Sequence, residues 1–271
     1  MREGASVSDR DTTYSRIIEW VFESKYREGE RAIDWERDDI LKACEALGIT
    51  RPKNLGDVVY SFRYRTPLPE AVRRKAPPGE DWIIRGTGPA KYRFVATALA
   101  WVSPTVGMEE TKVPDATPGI VGMYALSDEQ ARLAKLRYNR LVDTFTGVTC
   151  YSLQSHLRTN VPGLGQLETD EVYVGLDRRG AHYVFPVQAK GGSDVLSVVQ
   201  VEQDFAMCQF RLPDLICRPI GAQFISSNHI ALFEFVQQDS QVRIASERHY
   251  RLVPPDDIKT EDLRLYQVGP P

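Results

Sequence analysis

Apolar residues near the amino terminus recur at helical spacing and predict three consecutive helices. They fall on one face within residues 13–27 and again within 35–48, where Gly48 ends the pattern. The third helix is predicted to follow Asn54, a residue type that favours the N-cap position. The residues of this helix expected to face inward are Leu55, Val58, Val59 and Phe62.

Two short segments of alternating apolar and polar residues follow, at 82–85 and 91–95. Residues 86–89 between them are rich in glycine and end in proline, which predicts the turn of a β-hairpin. Three helices followed by a hairpin is the element order of a winged helix, whose third helix can enter the major groove of DNA. Residues 1–102 are therefore predicted to form a winged-helix-like DNA-binding domain.

Residues 103–119 lack any periodic pattern and contain three prolines and two glycines, which predicts a linker. The second domain, residues 120–271, begins with a predicted helix whose capping box pairs Ser127 with Gln130. Three predicted strands, a helix and further strands follow. This order favours an α/β (α+β) fold with a mixed sheet flanked by helices.

The composition is that of an ordinary globular protein, with 271 residues, 42% of them apolar and 26% charged. No apolar run reaches the roughly 18 residues of a membrane span, and the amino terminus lacks the apolar segment of a signal peptide. We therefore expect a cytoplasmic protein with no membrane association. Four scattered cysteines give no metal-binding or disulfide pattern.

The charge is unevenly distributed, although the net charge is only −3. Residues 51–95 contain ten Lys and Arg against four Asp and Glu. Such a block is typical of a DNA-binding surface, and an exposed basic face without a ligand is the alternative. The candidate DNA-contacting residues are Lys53, Tyr60, Arg63, Arg65, Arg85, Lys91 and Arg93.

The first predicted hairpin of the second domain contains more charged residues than is usual for β-strands. One strand carries Glu168, Asp170 and Glu171, and the next carries Gln188 and Lys190. Strand side chains alternate, so Gln188 and Lys190 share one face, as do Glu168 and Asp170. Oxygen ligands from Asp170 and Gln188, with Glu171 if the register differs, suit Mg²⁺ or Mn²⁺, and Lys190 can act on the attacking water. This pattern predicts metal-assisted hydrolysis of a phosphodiester, with Glu168 as a further catalytic carboxylate.

The Thr169-Asp170 and Gln188-Ala189-Lys190 segments resemble the motif of the PD-(D/E)xK nuclease superfamily, which includes type II restriction endonucleases. That superfamily has an αβββαβ core, and the resemblance covers roughly residues 127–225. It implies a Mg²⁺-dependent endonuclease of a prokaryotic cytoplasm that cuts double-stranded DNA, with a homodimer supplying two active sites. It also suggests supporting polar residues at Asp143, Gln200 and Gln203, for which an exposed helix face is the alternative.

The motif departs from the superfamily pattern at Gln188, which stands where an acid is usual and is similar to a known Q-x-K variant. The substitution removes one negative charge, which Glu168 or Glu171 can replace. Two alternatives therefore stay open. One is a repair or junction nuclease, and the other is a DNA-binding regulator with an inactive nuclease fold.

Overall fold

The structure is a computed structural model that describes residues 7–124, 128–239 and 241–268. The chain divides into two compact units. One contains the chain up to Val102 together with 160–165 and 197–200, and the other contains the remainder. No helix within the described ranges is long and apolar enough to cross a membrane. The predicted class, a mixed sheet accompanied by helices, is confirmed.

The chain up to Val102 forms four helices and four strands among its described residues. In order they are α1 (Val7–Glu23), β1 (Ala32–Glu36), α2 (Arg37–Leu47), α3 (Leu55–Tyr64), α4 (Glu70–Arg73), β2 (Asp81–Gly88), β3 (Lys91–Thr97) and β4 (Trp101–Val102). Strand β3 lies between β1 and β2 and is antiparallel to both. The core includes Phe22 of α1, whose ring centroid lies 5.1 Å from that of Trp82 and 5.2 Å from that of Phe94.

Strand β1 was not predicted, because its first residues precede and its last residues overlap the segment 35–48 assigned to one helix. Within it Ile33 and Trp35 are buried while their neighbours are exposed, the alternation of a half-buried strand. Helix α2 begins after Glu36, whose backbone N–H donates to Asp39 Oδ2 at 2.9 Å. The third predicted helix is confirmed, including its N-cap.

The remaining elements follow in one series. They are β5 (Glu110–Pro114), α5 (Gly119–Tyr124), α6 (Asp128–Tyr138), α7 (Leu141–Thr146), β6 (Thr149–Val161), β7 (Gly165–Leu176), β8 (His182–Gly191), β9 (Leu196–Ser197), α8 (Val198–Arg211), β10 (Ile216–Cys217), β11 (Ile220–Phe224), β12 (His229–Gln238), β13 (Gln241–Val253), a 3₁₀ turn (Pro255–Asp257) and α9 (Thr260–Val268). The predicted Ser127 capping box and the carboxy-terminal residues 269–271 lie outside the described residues.

Eight strands form one mixed sheet in the order β5, β13, β12, β11, β8, β7, β6, with the short β10 also paired to β8. Strands β7 and β8 are antiparallel, and β11 runs parallel to β8. The prediction of a linker at 103–119 is wrong, because Glu110–Pro114 pairs with β13 as an outer strand. The prolines of this segment indicate a linker by sequence, but an outer strand tolerates a proline such as Pro114 at its end.

The two faces of the central strands are covered by different helices. Phe185, Val187 and Ala189 of β8 belong to a buried cluster with Leu136 of α6 and Leu141 of α7. The alternate residues of β8 face the other way, where Gln188 contacts α8. The helix predicted to run without interruption from residue 127 is divided at residues 139–140, and Arg140 has the left-handed φ of 50° there.

Candidate functional site

Asp170, Gln188 and Lys190 lie together on the α8 face of β7 and β8. Glu171 of β7 pairs with Val187 of β8, so side-chain alternation places the neighbouring Asp170 and Gln188 on one face. Asp170 Oδ2 accepts a hydrogen bond of 2.7 Å from the backbone N–H of Ala189 and lies 3.9 Å from Lys190 Nζ. The structure thus brings the three residues of the predicted motif to one place.

A fourth residue of this cluster, Asp204 of α8, was missed by the sequence analysis. Its side chain is only 1% exposed, and its Oδ1 accepts a 2.6 Å hydrogen bond from Thr169 Oγ1. Gln188 Nε2 lies 3.2 Å from each of its carboxylate oxygens. The available signal was an acid at helical spacing from the apolar Val201 and Cys208, because a charge on a buried helix face requires a partner or a use.

Burial shapes the acidity of both carboxyl groups. It raises the pKa of Asp170, against the opposing effects of the Lys190 ammonium and the Ala189 N–H. Burial also raises the pKa of Asp204 to about 7, although hydrogen bonds from Thr169 and Gln188 favour its ionised form. Each pKa would fall if more positive charge were nearby. The pair is therefore short of countercharge.

Gln188 is 1% exposed, and its amide joins the two sides of the site. Besides Asp204, its Nε2 contacts the backbone carbonyl oxygen of Glu168 at 3.2 Å. An amide can donate in this way, whereas a carboxylate at position 188 would face the carboxylate of Asp204. The neutral Gln188 of β8 is thus hydrogen-bonded to the acidic Asp204 of α8.

The Glu168 side chain is directed away from the role predicted for it. Its carboxylate is 46% exposed and lies 3.1 Å from the guanidinium of Arg158 on β6. Its contribution to the cluster is the backbone carbonyl that accepts from Gln188. The prediction of Glu168 as a catalytic carboxylate is therefore not supported by its side-chain contacts.

Glu171 lies on the opposite face of the sheet, and its prediction as a metal ligand is wrong for this arrangement. It is fully buried, and its Oε1 lies 2.8 Å from Arg137 Nη2 and 3.0 Å from Arg137 Nε. Its burial also shows that it is not an exposed charge. Side-chain alternation separates it from Asp170, and Arg137 of α6 supplies the countercharge for its burial.

The three supporting residues have different positions. Asp143 accepts a 2.8 Å hydrogen bond from the Cys150 N–H and pairs with Arg140, so it joins α7 to β6 instead of supporting the cluster. Gln203 is buried beside Asp204 in α8, and Gln200 is half-buried one turn earlier. A role for the two glutamines in the site stays a prediction.

The oxygen atoms of this cluster fit a hard divalent cation. Within the described part of the chain, no three His, Cys, Asp or Glu side chains are grouped closely enough to hold a metal ion by themselves. Asp170 and Asp204 nevertheless offer two carboxylates whose pKa values are raised by burial, and Gln188 and the backbone supply neutral oxygens. Such a donor set suits Mg²⁺ or Mn²⁺, which complete their coordination with water.

The basic hairpin of the first unit carries ion pairs that its sequence did not reveal. Arg93 forms two hydrogen bonds with Asp34 of β1, at 2.7 and 2.8 Å, and Lys91 Nζ lies 4.0 Å from Glu36. The prediction treated these cations as available for phosphates. Because the unpredicted strand β1 lies beside β3, its acids offset two of the charges on this face.

The third helix presents aromatic and cationic groups together. Tyr60 is 47% exposed, and the guanidinium carbon of Arg65 lies 4.9 Å from the centre of its ring. Arg63 is half-buried and packs over Tyr64, also at 4.9 Å, so it is less accessible than predicted. The other predicted contacts are Lys53, exposed before α3, and Arg85, half-buried on β2.

Comparison with known proteins identifies no relative of the chain. No protein family, no characterised protein and no solved structure matches the chain.

Proposed function

We propose that this protein is a Mg²⁺-dependent DNA endonuclease of the PD-(D/E)xK type, acting as a type II restriction enzyme. The observation that carries the proposal is the convergence of Asp170, Gln188, Lys190 and Asp204 on one face of the sheet. The surrounding order also supports it, since α7, β6, β7, β8, α8 and β11 follow the αβββαβ sequence of that superfamily once the two-residue strands β9 and β10 are set aside.

In this proposal Asp170 and Asp204 hold the cation, and Gln188 fixes the orientation of Asp204. A bound Mg²⁺ supplies positive charge beside the scissile phosphate and is held by oxygen ligands. The Ala189 N–H restrains the Asp170 carboxylate through its 2.7 Å hydrogen bond. Thr169 does the same for Asp204, so neither acid needs to reorganise when the substrate binds.

In this proposal Lys190 acts on the substrate phosphate and on the attacking water. Its Nζ lies 3.9 Å from Asp170 Oδ2, and its side chain is 17% exposed, so it remains accessible at the edge of the cluster. It can donate to a phosphate oxygen and offset the negative charge that develops during attack. It can also hold the attacking water in line with the phosphorus atom. Hydrolysis then forms a bond between the water oxygen and phosphorus, with release of a proton to solvent, and breaks the bond between phosphorus and the leaving oxygen, which takes up a proton from solvent.

Duplex DNA is proposed to bind the first unit through α3 and the β2–β3 hairpin. Helices α1 to α3 and the three-stranded antiparallel sheet that contains this hairpin support a winged-helix mode of binding, with the short α4 as an addition. Tyr60 and Arg65 are placed for base or backbone contact at the surface of α3. The Arg93 and Lys91 ion pairs are exposed and screened by solvent, so phosphates can replace the acids.

The alternative favoured by one observation is a DNA-binding regulator without cleavage activity. Gln188 leaves the strand without the usual acid, and its amide contacts both carboxylate oxygens of Asp204. If Asp204 cannot act as a ligand, the site would lack sufficient negative charge for Mg²⁺. The two functions differ in whether bound DNA is cut.

The test is to incubate the full chain with methylated and with unmethylated genomic DNA, in Mg²⁺ or in EDTA. Discrete fragments that require Mg²⁺ are expected, and Asp170→Ala should abolish them. Asp214→Ala, which removes an exposed acid from the loop after α8, is the matched control and should cut normally. Tight binding with no cleavage would assign the regulator. Cleavage limited to branched or damaged DNA would assign a repair or junction nuclease.

A further inference from the structure

A second group of basic residues surrounds a cavity of about 370 Å³ at the end of β8 and β11. Those strands are parallel and end together, since Gly191 pairs with Phe224. Arg132 and Lys135 of α6 line the cavity, with Gly191, Gly192 and the loop after β11. Crevices at the carboxyl ends of parallel strands are common binding places for ligands.

Arg132 is the central cation of this cavity. Among the described residues no acceptor contacts its Nε, although that atom is buried. A buried donor without an acceptor is unfavourable, so this guanidinium has hydrogen-bonding capacity that the fold itself does not use. The guanidinium is a planar fork that matches the oxygens of a phosphate, which makes an anion the ligand of choice.

Gly191 allows the Arg132 side chain to lie directly against the end of the strand. A Cβ atom at this position would lie 3.0 Å from Arg132 Nη1 and 3.1 Å from its Cδ. Such distances are too short for a relaxed contact, so a larger residue would displace the guanidinium. Gly191, the residue that follows Lys190, therefore allows the Arg132 guanidinium to lie beside the end of β8.

Lys135 reinforces the positive charge of the cavity. It lies three residues after Arg132, so both side chains emerge from the same face of α6. Its ammonium donates to the backbone carbonyl of Ser227, which fixes the loop after β11 at the cavity wall. Asp128 also lines the cavity, leaving two cations against one acid.

We infer that this cavity binds a phosphate group of the DNA strand that passes over the end of β8. Lys190 and Gly191 are adjacent but face opposite sides of the sheet, as strand residues alternate. A strand of DNA crossing this edge would present one phosphate to Lys190 and a neighbouring phosphate to Arg132. The inference rests on the proposed nuclease function for its substrate, and the cavity itself would accept a phosphate from another source.

The experiment measures binding of a fluorescent duplex to the full chain in EDTA, where cleavage is absent, at several salt concentrations. Arg132→Gln should weaken binding by roughly tenfold or more. It should also lower the slope of log affinity against log salt by about one unit. Arg243→Gln, which removes an exposed arginine from β13, is the matched control and should behave as the wild type. Arg132→Lys keeps the charge without the fork and should lie between them, which provides a second variant if Arg132→Gln fails to fold.

A second arm uses inorganic phosphate, with broadening of its ³¹P resonance as the readout. If Arg132→Gln loses only this signal and binds DNA normally, the cavity serves free phosphate compounds and the DNA inference is overturned. If Arg132→Gln matches Arg243→Gln in both arms, the cavity is not a phosphate site, even if the wild type cuts DNA. If the wild type never cuts DNA but Arg132→Gln selectively loses duplex binding, the nuclease proposal fails and the cavity remains a DNA phosphate site.

Discussion

Gln188 donates its side-chain amide toward both carboxylate oxygens of Asp204, at 3.2 Å each. This contact relates a strand residue to a helix residue sixteen positions later. It places the acid that the strand motif lacks on α8, next to Asp170. Five predictions follow from this site and from the basic surface of the first unit, four of them on the Gln188, Asp204, Asp170 and Lys190 cluster.

The raised pKa of Asp204 predicts a loss of stability with increasing pH. An unfolded aspartate loses its proton near pH 4, whereas the folded group keeps it until about pH 7. The folded state binds more protons between these values, so the free energy of unfolding should fall as pH rises through that range. Asp204→Asn should remove this dependence. Urea unfolding at pH 5 and pH 8 measures it, and an unchanged difference between the two pH values would contradict it.

Divalent cations should stabilise the folded protein at alkaline pH. At pH 8 both acids are more fully ionised than at pH 5, so added Mg²⁺ or Ca²⁺ should raise the melting temperature more at pH 8. Asp170→Asn and Asp204→Asn should each reduce the shift, while Asp214→Asn should retain it. Thermal unfolding in Mg²⁺ and in EDTA provides the measurement. Equal shifts in all four proteins would exclude this cluster as the metal site.

Lys190→Ala should reduce the rate of DNA cleavage by a factor of order 10² or more, because it removes a charge that stabilises the transition state. Binding of duplex DNA should weaken by less than the cleavage rate, since Lys190 supplies one phosphate contact among several. Lys259→Ala provides the control, as that ammonium donates to the backbone carbonyl of Asp256, outside the cluster. Single-turnover cleavage separates the chemical step from binding. Wild-type rates in Lys190→Ala would rule out its catalytic role.

Exchanging the amide at position 188 and the acid at position 204 tests whether the two residues act together. Gln188→Glu alone should place two carboxylates against each other, and Asp204→Asn alone should leave the site with too little negative charge. The double variant Gln188→Glu with Asp204→Asn restores one acid and one amide. It should therefore cut DNA faster than at least one of its parents and recover the Mg²⁺-dependent stabilisation. A double variant whose defects simply add would show that the two residues act separately.

The ion pairs of the first unit predict opposite effects for the two members of one pair. Arg93→Ala should weaken DNA binding and lower its salt dependence by about one unit of slope. Asp34→Asn should strengthen binding, because it leaves the Arg93 guanidinium available to a phosphate. Fluorescence anisotropy at several salt concentrations measures both effects. Should both variants bind as the wild type does, this face of the hairpin does not contact DNA.

Local pattern was sufficient to predict the elements that place the motif. The hairpin of β7 and β8 was predicted from alternating residues around a turn, and the face shared by Gln188 and Lys190 followed from that alternation. Helix α3 was predicted from its N-cap and its apolar spacing, and Asn54 does cap it. These features depend on residues close together in the sequence, so the sequence determines them by itself.

Tertiary structure decided what those residues contact. Asp204 joins the cluster only because α8 packs across the face that carries Gln188. The buried charge of Glu171 is balanced because α6 places Arg137 on the other face. Strand β5, taken for a linker, becomes a strand by pairing with β13, more than a hundred residues later. Pairings over such separations depend on how whole elements pack, which composition and local periodicity do not specify.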